Sequence, residues 1–523
     1  MVVMRRGVSM ASLRSISTPD RILSRLGVLE FEDGAPSEAT ADLLYDHLDF
    51  SHAVEAYLGA LPGVSLEAMR RGLDSIGVED DSFVIYSDLM DSASLFLTAN
   101  SDTVYFLGFI DLSDGPKIVD VPPLGAPSGI LGTVDDMWFR WIGDFGLPGP
   151  DRGRGGRYLF VGPGYKGQLP DGGFFVSHAR ANRIFLIGRA FMVDNDPKRA
   201  VDGIRSGIKV SPYVSGSSGT AVASFLAGRS PLAQSPRSTK TRFIEGSGVP
   251  VNTIPPNDFS YWTFIDDLIQ REPVGSGDPE LLGLLAGVGI VKGKPFAPDA
   301  RMRQILEQAV IVGNAAARTL SMAPRRSEKL HFYLDSQWFN PLFVGGYEFM
   351  DPPAQITAAG VVPSPSDGAR KINARTSFFY YAAGVTPSMC MYLTQIGSQY
   401  LAATHDGEGA YLDGARAYRL TLPPEIPQGL FWSVVVYDRQ TRSMLQTGQP
   451  RPSLGSQSGT VQADPDGQTE IYFGPTAPAG RESNWLQTVP GKGWFAILRL
   501  YNPLQPFFDK TWRPSEIEPV STR

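Results

Sequence analysis

Between Ser37 and Leu73 the apolar residues recur at helical spacing: Leu43, Leu44, Leu48, Val54, Tyr57 and Leu58, then Leu66, Met69 and Leu73. Such a stripe predicts helix. The break at Leu61-Pro62-Gly63 divides it, because proline brings no amide hydrogen and glycine is a poor helix former, so a helical hairpin is expected over 37–75 after a tail over 1–36. From Phe83 to about Ile204 the pattern changes to short apolar runs, V-Y-F-L-G-F-I, K-I-V-D-V, R-Y-L-F-V and R-I-F-L-I-G-R, separated by Gly, Pro and Asp. That punctuation predicts an antiparallel sandwich or barrel over 76–205. A mostly helical insert follows over 206–340, strongest at Pro298–Leu320, where Met302, Ile305, Leu306, Ala309, Val310 and Val312 form a stripe. Strand patterns return over 341–523.

The two β regions share a plan. The first runs D-G-P-K-I-V-D-V-P-P, D-M-W-F-R-W, Y-L-F-V-G-P-G, I-F-L-I-G-R; the second runs D-G-A-R-A-Y-R-L-T-L-P-P, F-W-S-V-V-V-Y-D, I-Y-F-G-P-T, F-A-I-L-R-L-Y. Each ends on an apolar strand carrying one arginine. A structural repeat and independent use of common turn chemistry both account for this.

Composition narrows the function classes. The 523 residues are 42% hydrophobic, ample for several cores, and a net charge of −7 argues against a nucleic-acid footprint. The single cysteine, Cys390, excludes intramolecular disulfides and multi-cysteine metal sites, and reads as a small buried hydrophobe. No run is long enough for a membrane span, and the N-terminal stretch after Arg5 and Arg6 lacks the continuous apolar core of an export signal, so a cytoplasmic location is expected.

N-S-D-T-V-Y, L-S-D-G-P, G-R-Y-L-F-V-G-P-G-Y and F-L-I-G-R-A-F resemble the domain of unknown function 1254. F-W-S-V-V-V-Y-D, E-I-Y-F-G-P, G-R-E-S-N-W-L, F-A-I-L-R-L-Y and D-K-T-W-R-P resemble the domain of unknown function 1214. The resemblance implies a mainly β chain with helical segments: an immunoglobulin-like sandwich, a helical insert and a C-terminal jelly roll. It implies no activity. Relatives are often exported.

No nucleophile elbow, zinc helix, P-loop or dinucleotide fingerprint is present, and the five histidines are scattered; His47 and His52 fall on different helix faces. No metal and no cofactor is expected. The candidate groups are instead polar residues among aromatic strands. Asn100 and Asp102 would share one strand face and could hold a hydroxyl or ammonium group, or they form an Asx-type turn. Asp136, Trp138 and Arg140 would share another face, as an ion pair over an indole or a clamp for an anion. Tyr437, Asp438 and Arg442 stand where an apolar strand runs out, and Glu482, Asn484 and Trp485 follow a turn. Arg189 and Arg499, inside apolar strands, should be buried in salt bridges, with substrate anchoring the other reading. S-F-F-Y-Y, Ser377–Tyr381, reads as sandwich core.

The expected function is a metal-independent hydrolase or lyase for a small organic or sugar-like substrate. Asp438 and Glu482 would converge as acid and base, with Tyr437 or Arg442 stabilising negative charge, in a groove between strand ends and the helical insert. Two alternatives stand beside it: a non-catalytic glycan or metabolite binder, and a structural subunit of a homo-oligomer.

Overall fold

A computed structural model describes residues 8–124, 129–214, 241–357, 359–365 and 367–520. The protein is built mostly from β-sheets, without a closed barrel among the described residues. In the first β unit the strands are β1 (Phe83–Ile85), β2 (Val104–Asp111), β3 (Lys117–Val121), β4 (Ile130–Asp136), β5 (Trp141–Gly146), β6 (Gly156–Val161), β7 (Phe175–His178), β8 (Arg183–Ala190), β9 (Lys209–Pro212) and β10 (Phe243–Glu245). The second unit comprises β11 (Ser398–Ala403), β12 (Tyr418–Leu422), β13 (Gln428–Asp438), β14 (Ser453–Gly455), β15 (Thr469–Gly474), β16 (Trp485–Gln487), β17 (Trp494–Pro503) and β18 (Glu518–Pro519).

The first unit packs a six-stranded sheet, β10-β1-β2-β8-β4-β5, on a four-stranded sheet, β7-β6-β3-β9. The second packs β11-β17-β13-β14 on β16-β15-β12-β18. The repeat glimpsed in the sequence is therefore present in the topology. Strands β2 to β9 and β11 to β18 correspond one to one in chain order, and even the parallel pairing of β6 with β7 recurs in β15 with β16.

Strand alternation explains the layering. Phe106, Ile110, Ile184 and Leu186 point from the six-stranded sheet toward Val119, Val121, Tyr158 and Phe160 of its partner and close one core. In the second unit Leu401, Val434, Val436 and Leu498 meet Tyr418, Leu420, Ile471 and Phe473 in the same way. The opposite faces are apolar too: Leu107, Phe109 and Phe185 of one unit and Val435, Tyr437, Phe495 and Ile497 of the other enter one shared core with the helices. The two inner sheets are thus buried on both sides.

Several expectations change here. The hairpin expected over 37–75 is one helix, Glu38–Ser75, running through Pro62. Residues 60–69 are buried all round in the shared core, and tertiary packing overrides the local break. Within the segment expected to be a helical insert, β9 and β10 are strands of the first unit, and helices Ser260–Arg271, Pro279–Gly287 and Ala300–Met322 follow. Ser377–Tyr381 is core, as read, but lies in the helix Ile372–Tyr381. A run of aromatics is apolar on every side, and periodicity cannot tell strand from helix there. No helix among the described residues is long and apolar enough to cross a membrane.

A candidate ligand site between the two β units

The stretch Ala99–Phe106 sits where the units meet. Asn100 to Thr103 are not strand: β2 begins at Val104, and Asn100 accepts from the Asp102 amide at 3.1 Å, the Asx turn weighed above. Its amide donates to the Tyr105 hydroxyl at 2.9 Å. Asp102, buried, turns away and crosses to the second unit. Its Oδ2 accepts from Ser433 at 2.6 Å and Tyr501 at 3.1 Å, and its Oδ1 from Ser453 at 3.3 Å. Three hydroxyls satisfy one carboxylate, which joins the units through a charge-assisted cluster.

Beside this clasp lies a cavity of about 1050 Å³. One wall is the inner face of the first unit, with Tyr105, Leu131, Thr133, Asp144, Ile187 and Arg189; the other is the inner face of the second, with Ser398, Tyr400, Ala402, Ile497 and Arg499. The segment between Phe339 and Gly397 closes the rest, and exposed Leu147, Arg152 and Ile396 rim the mouth. No described residue between 206 and 338 lines it. The expected groove against the helical insert is replaced by a hollow between the two sheets, because both inner faces are apolar and the helices pack elsewhere in the shared core.

The arginines of the two apolar strands occupy equivalent places in the repeat. Arg189 on β8 lies opposite Tyr105 on β2, and Arg499 on β17 lies opposite Tyr400 on β11. The expected salt bridges are not formed: neither guanidinium pairs with a carboxylate among the described residues. Arg189 reaches the hydroxyls of Ser398 at 3.2 Å and Tyr105 at 3.4 Å, with the Tyr501 ring 5.1 Å from its centre. Arg499 donates to the Thr98 carbonyl at 2.9 Å, while its Nη1 finds no partner. Burial works against both charges, but the surrounding phenols, joined at Arg499 by Asp102, outweigh it and hold both groups above the usual arginine range.

Asp144, on β5, is the acidic group of the wall. Burial pushes its carboxyl up to about 6, against the downward pull of its hydrogen bonds from Thr386, at 2.7 Å, and the Trp141 indole, at 2.9 Å. Free of metal-like grouping, the site fits the rest of the molecule: among the described residues no three His, Cys, Asp or Glu side chains gather as metal ligands would.

Of the candidates drawn from the sequence, Asn100, Arg189 and Arg499 line the cavity. Asp136, Trp138 and Arg140 do not share a strand face; Asp136 ends β4, and Trp138 and Arg140 stand in the turn that leads to β5. Asp136 accepts from the amides of Trp138 and Arg140 and pairs with the Arg140 guanidinium at 2.7 Å. The carboxylates of Asp438 and Glu482 are not brought together. Asp438, buried at the end of β13, pairs with Lys492 at 2.9 Å, whereas Glu482 is exposed on a turn before β16, in the other sheet, and accepts from the Gly480 amide. Tyr437 donates to the Ala99 carbonyl at 2.5 Å, and Arg442 lies over the Tyr380 ring at 4.3 Å, donating to its carbonyl. Asn484 staples Gln462 and Glu470, and Trp485 donates to the Gly474 carbonyl. Apart from the ion pairs of Asp136 and Asp438 and the ring contact of Arg442, these contacts hold backbone groups. Tyr105, Thr386, Ser398 and Tyr400 escaped the sequence reading, although the recurring single arginine of the repeat pointed at the right strands.

Residues 81–212 match the model of the protein family of unknown function DUF1254, and residues 397–505 that of DUF1214. The two matches stand in tandem along the chain. The cavity is therefore walled by one sheet from each of the two matched regions. Among solved structures the chain is similar to the VPA0106 protein from Vibrio parahaemolyticus, at 19% identity over 90% of this chain and 100% of that one, with a TM-score of 0.51. That likeness shows the fold alone. An uncharacterized protein from Burkholderia cenocepacia aligns at 12% identity over 92% of this chain and 96% of that one, with a TM-score of 0.39. No curated protein matches.

Proposed function

We propose that this protein binds a small organic metabolite in the hollow between its DUF1254 and DUF1214 units. The observation that carries the reading is the cavity itself, about 1050 Å³ with mostly apolar walls and a few convergent polar groups. Its residues come from both units, and the carboxylates once expected to act as acid and base do not line it. As for the frame, both units are read here as one type of sandwich, rather than an immunoglobulin-like unit followed by a jelly roll, because their strand order is the same.

A second reading retains chemistry, and Asp144 favours it. A cavity-lining carboxyl with a pKa of about 6 can take or give a proton near neutrality, so hydrolase or lyase action would rest on Asp144 instead of Asp438 and Glu482.

One experiment separates these. The purified protein is mixed with a metabolite extract, washed, denatured and its small-molecule content identified by mass. Retention of one unaltered compound by the wild type, and its loss on Ala383→Trp, which fills the wall, supports binding. Conversion of a compound by the wild type, abolished by Asp144→Asn, supports catalysis. Equal retention by wild type and Ala383→Trp with no conversion rejects both.

A further inference from the structure

We propose that the occupant of this hollow is a monoanionic organic acid with an apolar body, its carboxylate held between Arg189 and Arg499. The inference rests on the binding reading above and adds the chemical class of the ligand.

The guanidinium of Arg499 carries the argument. The residue is 3% exposed and lines the cavity, yet its Nη1 has no hydrogen-bond partner. A buried N–H on a charged group is costly when unsatisfied, and an arriving acceptor recovers that cost. Arg189, from the equivalent strand of the other unit, contacts neutral hydroxyls, those of Ser398 at 3.2 Å and Tyr105 at 3.4 Å and that of Tyr400. Neither arginine has an ion pair among the described residues, so a carboxylate that reaches Nη1 of Arg499 and displaces the hydroxyls from Arg189 meets two charges without a counter-ion of their own.

Charge fixes the valence. Asp102 is the carboxylate that acts on Arg499, and its oxygens are already occupied by Ser433, Ser453 and Tyr501. Two guanidiniums against one carboxylate leave a single positive charge, which one carboxylate neutralises and a phosphate dianion would exceed. Asp144 stands on the same sheet face, two strands and two residues from Arg189, or about 12 Å by strand spacing, and is held by Thr386 and Trp141. It is too far to supply the missing countercharge. Size and lining define the remainder of the ligand. The volume exceeds what a bare anion needs, and Phe96, Ile187, Ala402 and Ile497 offer the body an apolar bed.

The test is calorimetric titration of the full chain near neutral pH with decanoate, 4-phenylbutyrate, decanol and decyl phosphate. Decanoate or phenylbutyrate should bind and raise the melting temperature, with decanol weaker by roughly thirty-fold. Arg499→Gln and Arg189→Gln should each weaken the acid by roughly thirty-fold and leave decanol unchanged. Arg499→Lys, which keeps the charge and loses the fork, should fall between, and it carries the test with Arg189→Gln if Arg499→Gln does not fold. Decanol binding as tightly as decanoate, or arginine variants that bind the acid normally, overturns the anionic anchor while leaving the cavity reading in place. Tighter binding of decyl phosphate overturns the monoanion. If neither acid binds, the proposal is rejected, and the extract experiment judges the cavity reading on its own.

Discussion

Asp144 and Asp102 show how differently two buried carboxyls behave. Asp144 holds its proton more tightly in the folded protein than in the unfolded chain, as does Glu272, which burial pushes up to about 7 against the Asn182 amide. The native state therefore binds more protons than the unfolded state from about pH 4 upward, and stability falls as pH rises through this window. The contribution of Asp144 is on the order of 3 kcal/mol between its unfolded value and about 6. The melting temperature should decline from pH 4.5 to 7.5, and Asp144→Asn should flatten part of that slope; an unchanged slope would contradict the assignment. Asp102 acts by contact. Its replacement by Ala strands three hydroxyls at the junction and should cost about 3 kcal/mol in urea unfolding. The chemistry of both residues was visible in the sequence as polar letters beside apolar runs, but their partners lie up to 399 residues away, and spacing along the chain cannot choose among distant partners.

Elements were more legible than side chains. The strands β2, β3, β6, β8, β13 and β17 coincide with the apolar runs read from the sequence, because alternation and turn residues are local signals. The helix Glu38–Ser75 was misjudged because its Leu-Pro-Gly break is local too, while what overrides it is not. At Gly63 a β-carbon would lie 2.7 Å from Leu268 and 3.0 Å from the Trp138 ring, so glycine permits the close approach that keeps the helix in the core. Gly63→Val should lower the urea midpoint by the equivalent of about 1–3 kcal/mol with an unchanged slope, the signature of overpacking. A harmless substitution would mean that Leu268 and Trp138 yield readily.

At the scale of the molecule, the shared core and the Asp102 clasp bind the two β units into one folding unit, despite a length at which separate domains are usual. Differential scanning calorimetry should show one transition, and Asp102→Ala should broaden or split it; two well-separated transitions in the wild type would show that the units stand alone. The repeat was legible in outline, from turn pairs and single arginines. The place where its halves meet was not, since facing of two sheets is a property of the assembled layers. Because the hollow is walled by both units, any molecule filling it also becomes a piece of the seam. Its departure would weaken the join at the same moment that it empties the chamber, and resistance of the segment between Phe339 and Gly397 to a protease would then serve as a gauge of how much of the protein is loaded.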